Sequence, residues 1–159
     1  MKTTSIVSFL FLVATAGCQP RKAPEKPTET SDFECKERRA AYIATGGFAG
    51  KEAGVLLDCQ EHGPRIESWR ALDGGGKKTS EHSIEPREFD DLWSEIEATG
   101  WRNLGDCDKT EAGEGEATYK IGVKDETHSS SLTCAGKELP FPYNRLIDSL
   151  DLLAGKYSE

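Results

Sequence analysis

Two stretches of the sequence repeat apolar side chains at helical spacing, and any fold of this chain has to bury both stripes. "IEPREFDDLWSEIEATG" (residues 84–100) places Phe89, Leu92, Trp93 and Ile96 on one helix face and acids on the other. Pro86 suits a first helical position, Ile84 and Phe89 have the spacing of a hydrophobic staple, and Gly100 is placed to end the helix. "PYNRLIDSLDLLAG" (residues 142–155) repeats the design, with Tyr143, Leu146, Ile147, Leu150 and Leu153 inward, Pro142 at its start and Gly155 at its end. The remaining segments read as strands in hairpins. "RAAYIAT" and "EAGVLLDC" flank "GGFAG", "RIESWRAL" and "KTSEHSI" flank "DGGGK", and "TYKIGVK" and "HSSSLTC" flank "DET". The order ββββαββα predicts an α+β fold. One antiparallel sheet of about six strands with both helices on one face is the simplest way to bury two stripes.

Strand register places the cysteines. If Thr45 pairs with Lys51 across the first turn, Cys59 faces residue 37 and lies close to Cys35. If Lys124 pairs with Thr127 across the last, Cys134 faces Ala117, at the end of the loop that carries Cys107. The expected disulfides are therefore Cys35–Cys59 and Cys107–Cys134, although four cysteines allow two other connectivities. A zinc site is disfavoured, because there is no C-x-x-C and the spacings suit no compact ligand pair.

The N-terminus has one basic residue, Lys2, then an apolar run from Ile6 to Ala14 and small residues ending at Cys18, the layout of a secretory signal peptide over residues 1–17. The run is too short for a stable transmembrane helix, which needs about 20 residues. "TAGC" resembles a lipobox, and the resemblance implies that Cys18 becomes the lipidated first residue; Thr15 stands where that pattern usually has leucine. "ATA" (residues 14–16) offers an ordinary cleavage site as the alternative, giving a secreted or periplasmic soluble protein. The chain has five cysteines, and lipid on one leaves an even number for disulfides in an oxidising envelope. Gln19 resembles the residue after the lipidated cysteine of outer-membrane lipoproteins. From Gln19 to Asp32 there are three prolines, several charges and no large apolar side chain, so residues 18–32 read as a lipidated cysteine and its tether. At about 3.1 Å per residue the tether spans roughly 40 Å. Residues 33–157 suit one domain.

Loss of residues 1–17 removes Lys2 and no acid, which leaves 19 basic against 28 acidic residues and a net charge of −9. An acidic domain without clustered Lys and Arg is a poor ligand for nucleic acid. No cofactor motif is present, and His62, His82 and His128 lack metal spacing. Ser80, His82 and Ser83 are neighbours, but without a G-x-S-x-G turn or an oxyanion hole they do not make a hydrolase. The acidic loop "GDCDKTEAGEGE" (residues 105–116) fails the EF-hand pattern, with Glu111 where glycine is required. The sequence therefore points away from an enzyme.

"ATGGFAGKEAGVLLD" (residues 44–58) resembles the start of the emfourin family, small bacterial inhibitors of thermolysin-like metallopeptidases. The likeness extends through the acid-rich helix ending near "GWRNL", the hairpin "EATYKIGVKDETHSSSLTC" and the proline-led final helix "LPFPYNRLIDSLDLLAG". It implies a binding module that occupies a peptidase cleft. The signal peptide, the tether, the cysteines and a second glycine hairpin depart from the family, so shared fold is better supported than shared activity. Physically, the turn Gly46, Gly47, Phe48, Ala49 and Gly50 is suited to present Phe48, because glycines let a backbone approach a cleft closely. The alternative is that the glycines only satisfy positive φ and Phe48 packs on its own sheet. Ile84 is a second candidate contact, though its staple role needs no partner. The expected partners are an envelope or secreted metallopeptidase and, through Cys18, a membrane. The rival function is a structural or assembly lipoprotein without inhibitory activity.

A mass spectrum of the mature protein checks the compartment directly: the expected first residue is Cys18 carrying a diacylglycerol and the other cysteines are oxidised. An unmodified N-terminus or free thiols throughout would contradict the lipoprotein assignment.

Overall fold

Six strands form one antiparallel sheet in the computed structural model, which describes residues 33–158. They are β1 (Arg39–Gly46), β2 (Ala53–Gln60), β3 (Gly63–Ala71), β4 (Lys77–Ser83), β5 (Ala117–Lys124) and β6 (Ser129–Gly136). Their spatial order is β4-β3-β2-β1-β5-β6. Two helices, α1 (Pro86–Ala98) and α2 (Tyr143–Lys156), complete the order ββββαββα, and the fold is α+β as the sequence predicts. Residues 1–32, with the signal peptide, Cys18 and the tether, lie outside the described residues.

The alternation of β1 carries the core. Ala40, Tyr42 and Ala44 are buried, and the same face takes Val55 and Leu57 from β2, Ile66 from β3, Tyr119, Ile121 and Val123 from β5, and Leu132 from β6. Phe89, Leu92, Trp93 and Ile96 of α1 and Leu146, Ile147, Leu150 and Leu153 of α2 join this cluster. Fully burying each large apolar side chain contributes about 1.5–3 kcal/mol. On the opposite face Trp69 lies across Gly54, where a Cβ would sit 2.4 Å from the indole.

Local signals set both ends of α1. Pro86 is its first residue, Ile84 and Phe89 are buried together as the staple pair, and Gly100 leaves the helix in the left-handed conformation at φ 70°. Gly155 does not end α2, which continues to Lys156. Tertiary contacts hold that last turn: Lys156 Nζ and the Tyr157 hydroxyl both donate to Glu88 of α1 at 2.6 Å. They hold the Glu88 carboxyl below the usual carboxylate range. Arg38 fastens the N-terminal segment to α1 in a similar way. Its guanidinium lies over the rings of Phe33, Phe89 and Trp93, closest to Phe89 at 4.7 Å from the centroid, and donates to Asp90 at 2.8 Å.

Cys35 is bonded to Cys59 and Cys107 to Cys134, with Cα separations of 5.1 and 4.9 Å. The strand registers differ from the sequence expectation. Arg39 pairs with Asp58 and Ala44 with Ala53, so Cys59 is one step further along than expected. The short helical turn Gly47–Ala49 between Gly46 and Gly50, closed by Gly46 N–H to Gly50 O at 2.9 Å, sets this register. In the last hairpin Tyr119, not Ala117, faces Cys134. There the Asp125 carboxylate accepts the N–H groups of Thr127 and His128, and Asp125 N–H closes the turn on His128 O at 2.9 Å. Burial pushes the Asp125 carboxyl up, but these bonds and one from Arg102 outweigh it and hold the group well below the usual range. Cys35 and Cys107 stand outside the strands, which lets each reach its partner despite the shift.

The second disulfide also holds a loop along β6, the outer strand. Cys107 N–H donates to Thr133 O at 3.0 Å, Ala135 N–H to Lys109 O at 2.8 Å and Thr133 N–H to the Asp106 carboxylate at 2.6 Å. Half of an otherwise bare edge is thereby paired. Replacing Cys107 and Cys134 together by alanine is expected to lower stability by about 2–4 kcal/mol in urea unfolding, and to speed hydrogen exchange at Thr133 and Ala135. Unchanged exchange at those amides would show that the loop holds the edge without the bond.

Candidate functional site

Three glycines shape the turn between β1 and β2. Gly46, Gly47 and Gly50 have φ of 80°, 52° and 65°, values that side chains with a Cβ rarely adopt. Gly47 also approaches the start of β5, where a Cβ would stand 2.9 Å from the Glu116 carbonyl carbon. Ala49 is buried beneath the turn, whereas Phe48 at its tip is 65% exposed. One side of the Phe48 ring leans on Tyr119, 6.3 Å between centroids, and Tyr119 in turn neighbours Tyr42 at 6.4 Å. Phe48 is thus the outermost of three aromatic rings: its base rests on the sheet and most of its surface faces solvent. Ile84, the other candidate contact, is only 5% exposed. The staple with Phe89 and the core around it occupy that side chain, so it offers no surface to a partner.

Beside the turn lies an open cleft of about 670 Å³ on the helix side of the sheet, between Phe48, β2–β4 and the last turns of α2. Its floor carries the small side chains of Ala44, Val55, Ser68 and Ser80, and its rim carries Arg70 and Lys78, which face each other across β3 and β4. The helices do not cover this end of the sheet.

The polar centre of the cleft is the Tyr42 hydroxyl, which donates a hydrogen bond to the Asp151 carboxylate. Burial, and then that bond to an acid, push the Tyr42 phenol far above its ordinary value, so it stays a neutral donor. Burial likewise raises the Asp151 carboxyl; the bond from Tyr42 opposes the shift and the nearby Asp148 charge adds to it. Burial also raises the Tyr119 phenol. Such groups suit recognition of a polar atom at the end of an apolar contact.

Ser80 lines this cleft, whereas the other sequence candidates stand apart from it. Ser80 Oγ lies 2.8 Å from His82 Nε2, a nucleophile–base distance. The His82 ring stacks on Tyr157, and among the described residues no hydrogen bond to its Nδ1 is found. The orienting third member of a triad is therefore missing from the described part. His128 shares its Nδ1 with the Thr127 hydroxyl. Within the acidic loop, Glu116 accepts from Lys109 and from Gly113 N–H, and Asp106 holds Thr133, so these carboxylates are used internally. No cluster of three or more metal-ligating side chains occurs among the described residues, and no helix there is long and apolar enough to cross a membrane. Cys18 falls outside the described residues.

Sequence reading found the turn but not the cleft, because Tyr42, Arg70, Lys78 and Asp151 come from four separated elements. The available signal was Ala44, Ser68 and Ser80, small residues at inward positions of β1, β3 and β4. Compared with known proteins, the chain is matched by no family model and by no curated protein.

The raised Asp151 group has a consequence for stability. The folded state holds this proton more tightly than the unfolded chain, so the contribution of Asp151 is most favourable at low pH. It declines as pH rises from the ordinary carboxylate value of about 4 through the higher folded value. Asp151→Asn keeps an acceptor for Tyr42 and removes the titration, so the urea midpoint of the variant is expected to lose that decline. Parallel pH profiles for the two proteins would contradict the coupling.

Proposed function

We propose that this protein is a binding module of the bacterial cell envelope that inhibits a thermolysin-like metallopeptidase by inserting Phe48 into the enzyme's cleft. The observation that carries the proposal is the exposure of Phe48 at the tip of a turn held by three positive-φ glycines and anchored by buried Ala49. A large apolar side chain on a turn closed by Gly46 N–H to Gly50 O and seated against Glu116 binds with less ordering cost than one on an open loop. The emfourin-like segment around this turn supports the choice of enzyme class, since thermolysin-like peptidases accept large apolar side chains beside the scissile bond. Two disulfides within the described domain suit an oxidising compartment, in keeping with a signal peptide and a lipid on Cys18. The basic rim of the cleft, Arg70 and Lys78, favours a second reading, in which the domain docks an acidic envelope component without inhibiting anything.

Titration of a thermolysin-like peptidase with the purified protein separates the two. Inhibition is expected to build with time, and Phe48→Ala to weaken it at least about tenfold with an unchanged melting temperature. If the wild-type protein leaves the peptidase fully active, the docking role stands instead. If Phe48→Ala inhibits as well as wild type, the turn is not the contact.

A further inference from the structure

Phe141 and Leu152 are 75% and 79% exposed, two of the four large apolar side chains that stand in solvent among the described residues. Both line an open groove of about 450 Å³ on the outer side of α2, together with Arg145, Asp148 and Glu95 of α1. Helix α2 has already buried Leu146, Ile147, Leu150 and Leu153 in the core, so this outer stripe is a separate surface. Arg145, Asp148 and Leu152 follow at three and four residues along α2, the rhythm of a helix that packs on another helix, and Phe141 stands two residues before the helix at the end of the same groove.

The stripe reads as its own complement when reversed. A two-fold axis crossing α2 at the level between Leu146 and Ile147 brings Leu152 of each copy toward the end of the groove that Phe141 of the other copy lines. The same axis sets Arg145 against Asp148 in both directions. A parallel alignment instead opposes Arg145 to itself and Asp148 to itself, which is repulsive. Asp148 makes no ion pair among the described residues, and Arg145 meets Glu95 of its own chain only at 3.6 Å with both side chains about half exposed. Asp148 is therefore free to pair across the axis, and Arg145 exchanges a long, exposed pair with Glu95 for it.

We propose that the outer face of α2 is the interface of an isologous homodimer in which two α2 helices pack antiparallel through Arg145, Asp148 and Leu152, flanked by Phe141. The surface is independent of the Phe48 turn and of the inhibitory role. A helix of 14 residues is about 21 Å long, so the pair buries less than a standard interface of about 1,200–2,000 Å². The dimer is accordingly weak and concentration-dependent.

Sedimentation equilibrium on the purified protein from about 10 μM to about 1 mM tests it, a range that brackets weak association. The expected result is a monomer–dimer equilibrium that Leu152→Lys weakens at least about tenfold. In a Glu95→Gln background, Arg145→Asp and Asp148→Arg are each expected to weaken association about fivefold or more, and the double exchange to restore it to within about twofold. All four positions are exposed, and unchanged melting temperatures verify that the variants fold. A monomer at every concentration overturns the proposal, as does a dimer indifferent to Leu152→Lys. A double exchange that fails to restore association overturns the antiparallel pairing.

Discussion

Burial of two helical stripes on the same face of one sheet is the constraint from which the other features follow. Phe89, Leu92, Trp93 and Ile96 from α1 and Leu146, Ile147, Leu150 and Leu153 from α2 need apolar surface, and the inward residues of the strands supply it. To bring both helices to one side, the chain passes from the edge strand β4 through α1 to β5, which lies against β1. That crossing makes β1 a central strand and leaves β4 and β6 as the two edges. The polar contacts then lock what burial has assembled. Glu88 ties the end of α2 to the start of α1, and Arg102 joins Glu97 at the end of α1 to Asp125 in the last hairpin.

The same constraint creates the candidate site by what it leaves uncovered. Two helices do not span the helix-side face completely, and at the end where β1 meets β2 the inward side chains are small. The result is a cleft with a shallow apolar floor, bounded by the Tyr42–Asp151 pair and by the glycine turn. The turn is closed by Gly46 N–H to Gly50 O and seated against Glu116, and its glycines permit the backbone angles that this close approach requires. A hydrogen-bonded presenting backbone and an exposed Phe48 suit a protruding recognition element.

Much of the fold was legible because it rests on short-range pattern. The helix stripes, the Pro86 start, the Gly100 stop and the six strands depend on residues a few positions apart, and all are found. The disulfide partners were also legible, since a hairpin brings Cys59 back near Cys35 under either of two neighbouring registers. The registers themselves were not. They depend on how Gly47–Ala49 coils within its turn and on which backbone groups the Asp125 carboxylate captures. The persistence of α2 past Gly155 was likewise hidden, because the contacts that hold it come from Glu88, far away in sequence.

The sequence by itself determined the type and order of the elements, the stripe each helix buries and the neighbourhood of each cysteine, because periodicity and turn chemistry act between residues close along the chain. Tertiary structure alone decided that Ile84 is core, that Phe48 is not, and that Tyr42, Arg70, Lys78 and Asp151 share one cleft. Those outcomes depend on which surfaces the packed helices reach. That reach follows from the sheet order and register, which involve residues brought together only when the whole chain has folded.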